Sequence, residues 1–232
     1  MKLLWYLLIL CPAFLFGQEQ NLRFMKESNT FLEDLNGRPL MLHSGYLIEG
    51  TPFFSREYCT ANLKVRNGKS YNGIKVKINL QENLVIYDAG DGKEMAAITP
   101  IEKIVFFNCA DPSRNQILLS GFPPVDGHGT NSFYVLLDSG RIMLLKHMGV
   151  NYHDVKYYGS NQVTRVFEQK ESFYVYQPGK GMTGFVREAG AVLSLLSDQR
   201  NAVQTFLTAN ELKCRKEEDL VKVFRFYNSL QH

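Results

Sequence analysis

The sequence predicts an α+β fold: a predominantly antiparallel sheet of about ten strands, followed by C-terminal helices packed on the same domain. Three observations predict it. From residue 60 the apolar residues recur with period two, which puts them on one face of a strand. Turn-forming pairs such as Asn67-Gly68 separate these runs after few residues, which favours antiparallel neighbours. After Val186 the period changes to three and four, the spacing of one helix face. The chain has 232 residues, 45% of them hydrophobic and 21% charged, enough to build a core unaided. That balance excludes a disordered chain, and the absence of a glycine triplet or heptad repeat excludes collagen and coiled coil.

The first element is an address. Lys2 precedes an apolar run from Leu3 to Phe16, broken only by Pro12, and Gly17 leads into the polar Gln18-Glu19-Gln20. This is the order of a secretory signal peptide, residues 1–17, with cleavage expected after Gly17 and Leu15 tolerable three residues before the cut. The run of about 14 residues is shorter than the roughly 20 that span a bilayer, so no membrane span is expected in the mature chain. An uncleaved anchor or a buried N-terminal helix is the other reading. Cys11 does not read as a lipid attachment site, because the residue before it, Leu10, is not small. Loss of Lys2 leaves 25 basic against 23 acidic residues, a net charge of about +2, too little to predict nucleic-acid binding.

Residues 18–59 form a weakly patterned N-terminal segment. Phe24, Phe31, Leu32 and Leu35 suggest a short helix, and Gly45, Gly50 and Pro52 suggest turns and short extended pieces. Residues 60–187 are the β-rich domain. Strands are expected at 62–66, 74–80, 84–87, 94–99, 101–107, 116–119, 133–137, 141–147, 163–167, 172–177 and 182–186. Ile74, Val76, Ile78 and Leu80 alternate with Lys75, Lys77 and Asn79, so one face is apolar and the other polar. Asp138-Ser139-Gly140 joins a hairpin. Residues 188–232 carry the helices. Val192 to Leu196 suggest one, and a second starts near Ser197-Asp198. Leu220, Val223, Phe224, Tyr227 and Leu230 line a third, opened by Glu217, Glu218 and Asp219, whose charges suit a helix N-terminus. Its apolar stripe is expected on the sheet.

Several of these motifs occur in a familiar order: Val65-Arg66-Asn67-Gly68-Lys69-Ser70-Tyr71, Lys77-Ile78-Asn79-Leu80 and Gly92-Lys93-Glu94-Met95. Phe133 to Lys146 around Ser139-Gly140, Ser172-Phe173-Tyr174-Val175, Asp219-Leu220-Val221 and Tyr227-Asn228 follow. In this the chain, from about residue 60 to 230, resembles a group of secreted proteins of Bacteroidetes-type bacteria for which no activity is established. The resemblance implies export from a Gram-negative cell and brings no catalytic residues with it.

Chemistry is sparse in the pattern. No G-x-S-x-G elbow occurs at Ser120-Gly121 or Ser139-Gly140, and Gly179-Lys180-Gly181-Met182-Thr183-Gly184 lacks phosphate-loop spacing and reads as a mobile connection. His147, His153 and Asp154 are close in sequence and could offer two nitrogens and an oxygen to a metal. Asp126 and His128 lie in a glycine-framed loop that reads equally as a binding loop or a surface turn. Asp88 to Gly92 reads as a turn. Solvated side chains explain both histidine places, so catalytic residues stay unknown and neither a metal nor a cofactor is expected. Tyr152, Tyr157, Tyr158, Tyr174 and Tyr176 form a binding face or plain strand packing. Once Cys11 is removed, Cys59, Cys109 and Cys214 remain. They are three buried thiols, or Cys59 pairs with Cys109. The functional expectation is a secreted or periplasmic binding or interaction module, with an envelope protein or glycan as partner. A secreted hydrolase with an unfamiliar active site is the alternative.

Overall fold

A computed structural model describes residues 38–39, 47–90, 92–159 and 162–230. The helix expected near Phe31 and the signal peptide expected at residues 1–17 lie outside the described residues. One twelve-stranded sheet organises the chain. Its strands are β1 (Arg38–Pro39), β2 (Leu47–Glu49), β3 (Cys59–Val65), β4 (Ser70–Asn79), β5 (Leu84–Asp88) and β6 (Glu94–Ala96). They continue as β7 (Ile101–Asn108), β8 (Ile117–Leu119), β9 (Tyr134–Asp138), β10 (Met143–Val155), β11 (Thr164–Gln177) and β12 (Gly181–Phe185). The spatial order is β1-β6-β5-β4-β3-β7-β8-β9-β10-β11-β12, with β2 beside β11. The β2–β11 pair is parallel and the other ladders antiparallel, so the sheet is mixed, with antiparallel pairing predominant as the short turns suggested. Helices α1 (Ala189–Leu195), α2 (Arg200–Ala209) and α3 (Glu217–Ser229) follow the strands.

Local chemistry explains the hairpins. Gly68 takes φ +90° between β3 and β4, where Val65 N–H bonds Lys69 O and Gly68 N–H bonds Val65 O. Asn67 Oδ1 accepts from Lys69 N–H in the same turn. At the β9–β10 turn the glycine serves close approach instead. A Cβ on Gly140 would lie 2.6 Å from the Asn228 carboxamide carbon. That carboxamide donates to Asp138 Oδ2 and Ile142 O and accepts from Ile142 N–H, pinning α3 to the hairpin.

The largest departure from the sequence pattern is the β10–β11 ribbon. The apolar signal ends β10 at His147 and divides β11 into 163–167 and 172–177, but both strands run on, paired from Met143↔Tyr176 to Val155↔Thr164. Glu168 to Glu171 are exposed, so nothing selects apolar residues there; the ladder's hydrogen bonds keep the segment extended. The ribbon curls back over the first half of the sheet. Gln169 donates to Phe53 O, and Arg114 donates to Met148 Sδ and Gln169 Oε1.

Two cores share the inner face. The first joins β3–β5, β7–β9 and Met148, with Phe54 stacked on Phe106 and the Cys59–Cys109 disulfide linking β3 to the end of β7. Of the two cysteine readings, the pairing is the one observed, and Cys214 is free and buried. The second core sets α1–α3 against Leu144, Phe173 and Val175, with Leu220, Val223, Phe224 and Tyr227 all buried as the stripe predicts. Lys146 sits between the cores, its ammonium 2.7 Å from Glu217 and 3.2 Å from Glu171. The helix's first acidic residue therefore also neutralises a buried lysine.

Candidate functional site

Alternation along β10 decides which side chains reach the outer face. Leu144, Lys146 and Met148 point inward, so Leu145 and His147 point outward, opposite Tyr174 and Ser172 of β11. Tyr134 of β9, Leu145, Tyr174 and Phe122 make a small third cluster on this face. The loop between β8 and β9 folds over it.

Midway along, that loop forms a two-residue hairpin. Val125 N–H bonds His128 O and His128 N–H bonds Val125 O, with positive φ at Asp126 (+49°) and Gly127 (+81°). Asp-Gly is the pair such a turn demands. The turn carries Asp126 and His128 onto the sheet as a unit. The His128 ring packs against His147 at 3.8 Å between centroids, the two planes tilted by 31°. Tyr134 stands 5.4 Å from the His147 ring and 5.4 Å from Tyr174. Asp126 accepts the Tyr174 hydroxyl. Gly184 of β12, paired with Tyr174, makes the room: a Cβ there would lie 2.7 Å from Asp126 Oδ2 and 3.1 Å from the Tyr174 ring.

Burial governs the electrostatics. It lowers the His147 pKa to about 4, with the neighbouring His128 adding to the effect, so the imidazole is neutral at neutral pH. It raises Tyr134 to about 12, helped by Tyr174 and Asp126. Tyr174 is also raised, by burial first and then by the Asp126 carboxylate.

Beside the paired rings lies a cleft of about 520 Å³. Its floor is β10 from His147 to Asn151 with Lys170 and Ser172 of β11. Gly149 leaves the middle of that floor without a side chain. The loop forms one wall and the β4–β5 turn, with Gln81 and Asn83, the other. Asn83 Nδ2 donates to Asn131 O at 2.6 Å and ties the walls together. An adjoining groove of about 760 Å³ shares Asp126, Ser172 and Tyr174 and continues along Phe185, Arg187 and Leu195.

The sequence candidates are regrouped. His147 and His153 lie six residues apart on one strand, about 20 Å, with Asp154 on the opposite face. Asp154 instead clasps Arg165 at 2.8 and 2.9 Å, which holds its carboxyl below the usual range. Among the described residues no group of three acidic, histidine or cysteine side chains could hold a metal. The tyrosines also separate. Tyr174 is buried and Tyr176 packs edge-on against Phe122, while Tyr152, Tyr157 and Tyr158 are exposed toward the far end of the ribbon. Gly179 and Gly181, with φ +81° and +87°, shape the β11–β12 hairpin, so an ordered turn replaces the expected mobile connection. Ser120 is buried and donates to Ile101 O. The meeting of Asp126 and His128 with His147 escaped the sequence reading, as did Ser172, Tyr134 and Gly184. The Asp-Gly pair at 126–127 was the available signal for the turn.

No protein-family model matches this chain, and no curated protein or solved structure matches it either.

Proposed function

We propose that this protein is an exported, non-enzymatic binding module of the periplasm or cell envelope. The Val125–His128 turn clamped on β10 and β11 carries the reading, because it builds a cleft wall from an imidazole pair and a carboxylate. Asp126 serves the Tyr174 hydroxyl rather than orienting an imidazole, and the two imidazoles face one another. That arrangement presents surface rather than a proton relay. The Cys59–Cys109 disulfide supports an oxidising compartment, as do the signal-like N-terminus and the motif order of secreted Bacteroidetes-type proteins. No helix among the described residues is long and apolar enough to cross a membrane.

The test is capture from envelope extract. The native protein should retain a ligand that an Asp126→Ala/His128→Ala variant loses, while both give the same far-UV circular dichroism. Equal retention by the two rejects the cleft as the binding site. A secreted hydrolase is the second reading, favoured by Ser172 standing directly across the ladder from neutral His147. A broad ester, peptide and glycoside screen decides it: turnover abolished by Ser172→Ala and by His147→Ala establishes the enzyme, and no turnover removes it.

A further inference from the structure

We infer that the cleft binds an uncharged, hydroxyl-rich ligand, an oligosaccharide laid along β10 and β11. This rests on the binding reading above and names the ligand class. Gln81, Asn83 and Asn151 offer carboxamides, which donate and accept at once as sugar hydroxyls do. Ser132 and Ser172 add hydroxyls. Charge is scarce in the lining: the Lys170 ammonium at the floor and the Asp126 carboxylate, one of each sign. A phosphate or polyanion would find no cluster of cations here. The half-buried imidazole pair, its planes tilted 31° to one another, gives ring surface that the apolar face of a pyranose can lie against.

Shape agrees with chemistry. The floor is bare at Gly149, and the Asn83–Asn131 bond joins the two walls and fixes one against the other. The cleft opens past Ser172 and Tyr174 into the adjoining groove, whose Phe185 and Leu195 add apolar surface and whose Glu171 and Arg187 add one charge of each sign. A chain of several units fits this run better than a single small molecule.

Isothermal titration of the purified protein with chitohexaose, cellohexaose and maltohexaose tests the inference, with an unstructured mixed-sequence peptide pool as the competing class. At least one hexasaccharide should bind. Gly149→Leu, which fills the floor, and Asn151→Ala, which removes a carboxamide, should each weaken it about tenfold or more, the equivalent of one lost polar contact. Thermal melts should show both variants folded; if Gly149→Leu fails to fold, Asn151→Ala alone carries the test. Binding of none of the three sugars overturns the inference, as does binding unchanged by the folded variants, or binding of the peptides alone. If the sugars fail while envelope capture still depends on Asp126 and His128, the saccharide assignment falls and the binding reading survives. If both fail, both fall.

Discussion

The two faces of the sheet are built differently. The inner face carries two large cores, one closed by the curl of the sheet with a disulfide across it, the other closed by three helices. The outer face carries a small cluster around Tyr134, Leu145 and Tyr174, on which the turn rests, and the cleft runs from there to Leu80, Phe133 and Met148 at the border of the first core. Most buried apolar contact is therefore on one side, and the recognition surface begins on the other. Loops with few buried partners open at low free-energy cost, which is where binding surfaces are commonly placed. Lys146 and His147 show the division at neighbouring positions. Lys146 points inward into an ion pair that joins the cores, and His147 points outward into the imidazole pair.

The sharpest way to break this comparison is to remove the staple. The disulfide closes a separation of 50 residues, so Cys59→Ala/Cys109→Ala should lower stability by about 4 kcal/mol on the chain-entropy account. Urea unfolding with and without reductant measures it. Ligand binding by the still-folded reduced protein should be nearly unchanged, since the disulfide serves the inner face. A large loss of affinity without unfolding would mean that the faces are coupled.

Next in size is the pin between α3 and the β9–β10 hairpin. Asn228→Ala removes three hydrogen bonds, one to the Asp138 carboxylate, and should cost about 3 kcal/mol. Hydrogen exchange should then show α3 loosened while β3 and β7 keep their protection. Uniform loss across both cores would refute separate closure.

The smallest effect belongs to the outer face and depends on pH. An unfolded histidine titrates near 6.5, and His147 is held to about 4 in the fold. Between those values the unfolded chain binds the extra proton, so stability falls as pH falls. The loss from pH 7 to pH 5 should be about 2 kcal/mol, present in the native protein and absent in His147→Phe. Chemical denaturation at the two pH values checks it; equal slopes in the two proteins would show that another group governs the acid limb.

Much of the fold was legible because burial writes a period into the chain. Ile74 to Leu80 declared a strand, Asn67-Gly68 a turn, and the Leu220 to Tyr227 stripe a packed helix. Legibility stopped where burial stopped. The exposed middle of β11 carries no apolar signal, so one strand read as two. Length failed in the same way for β10, whose far half is mostly exposed.

The site depended on contacts across distance. Sequence proximity grouped His147 with His153 and Asp154, whereas alternation and the rise of a strand keep them apart. By itself the sequence determined the order of strands before helices, the principal turns and the apolar faces, because each is set by near neighbours along the chain. Only the tertiary structure decided that Cys59 meets Cys109, that Asn228 needs Gly140, and that the 126–128 turn lands on His147 and Tyr174. Those contacts arise from strand register and sheet curl, and no local pattern encodes where two distant segments come to rest against each other.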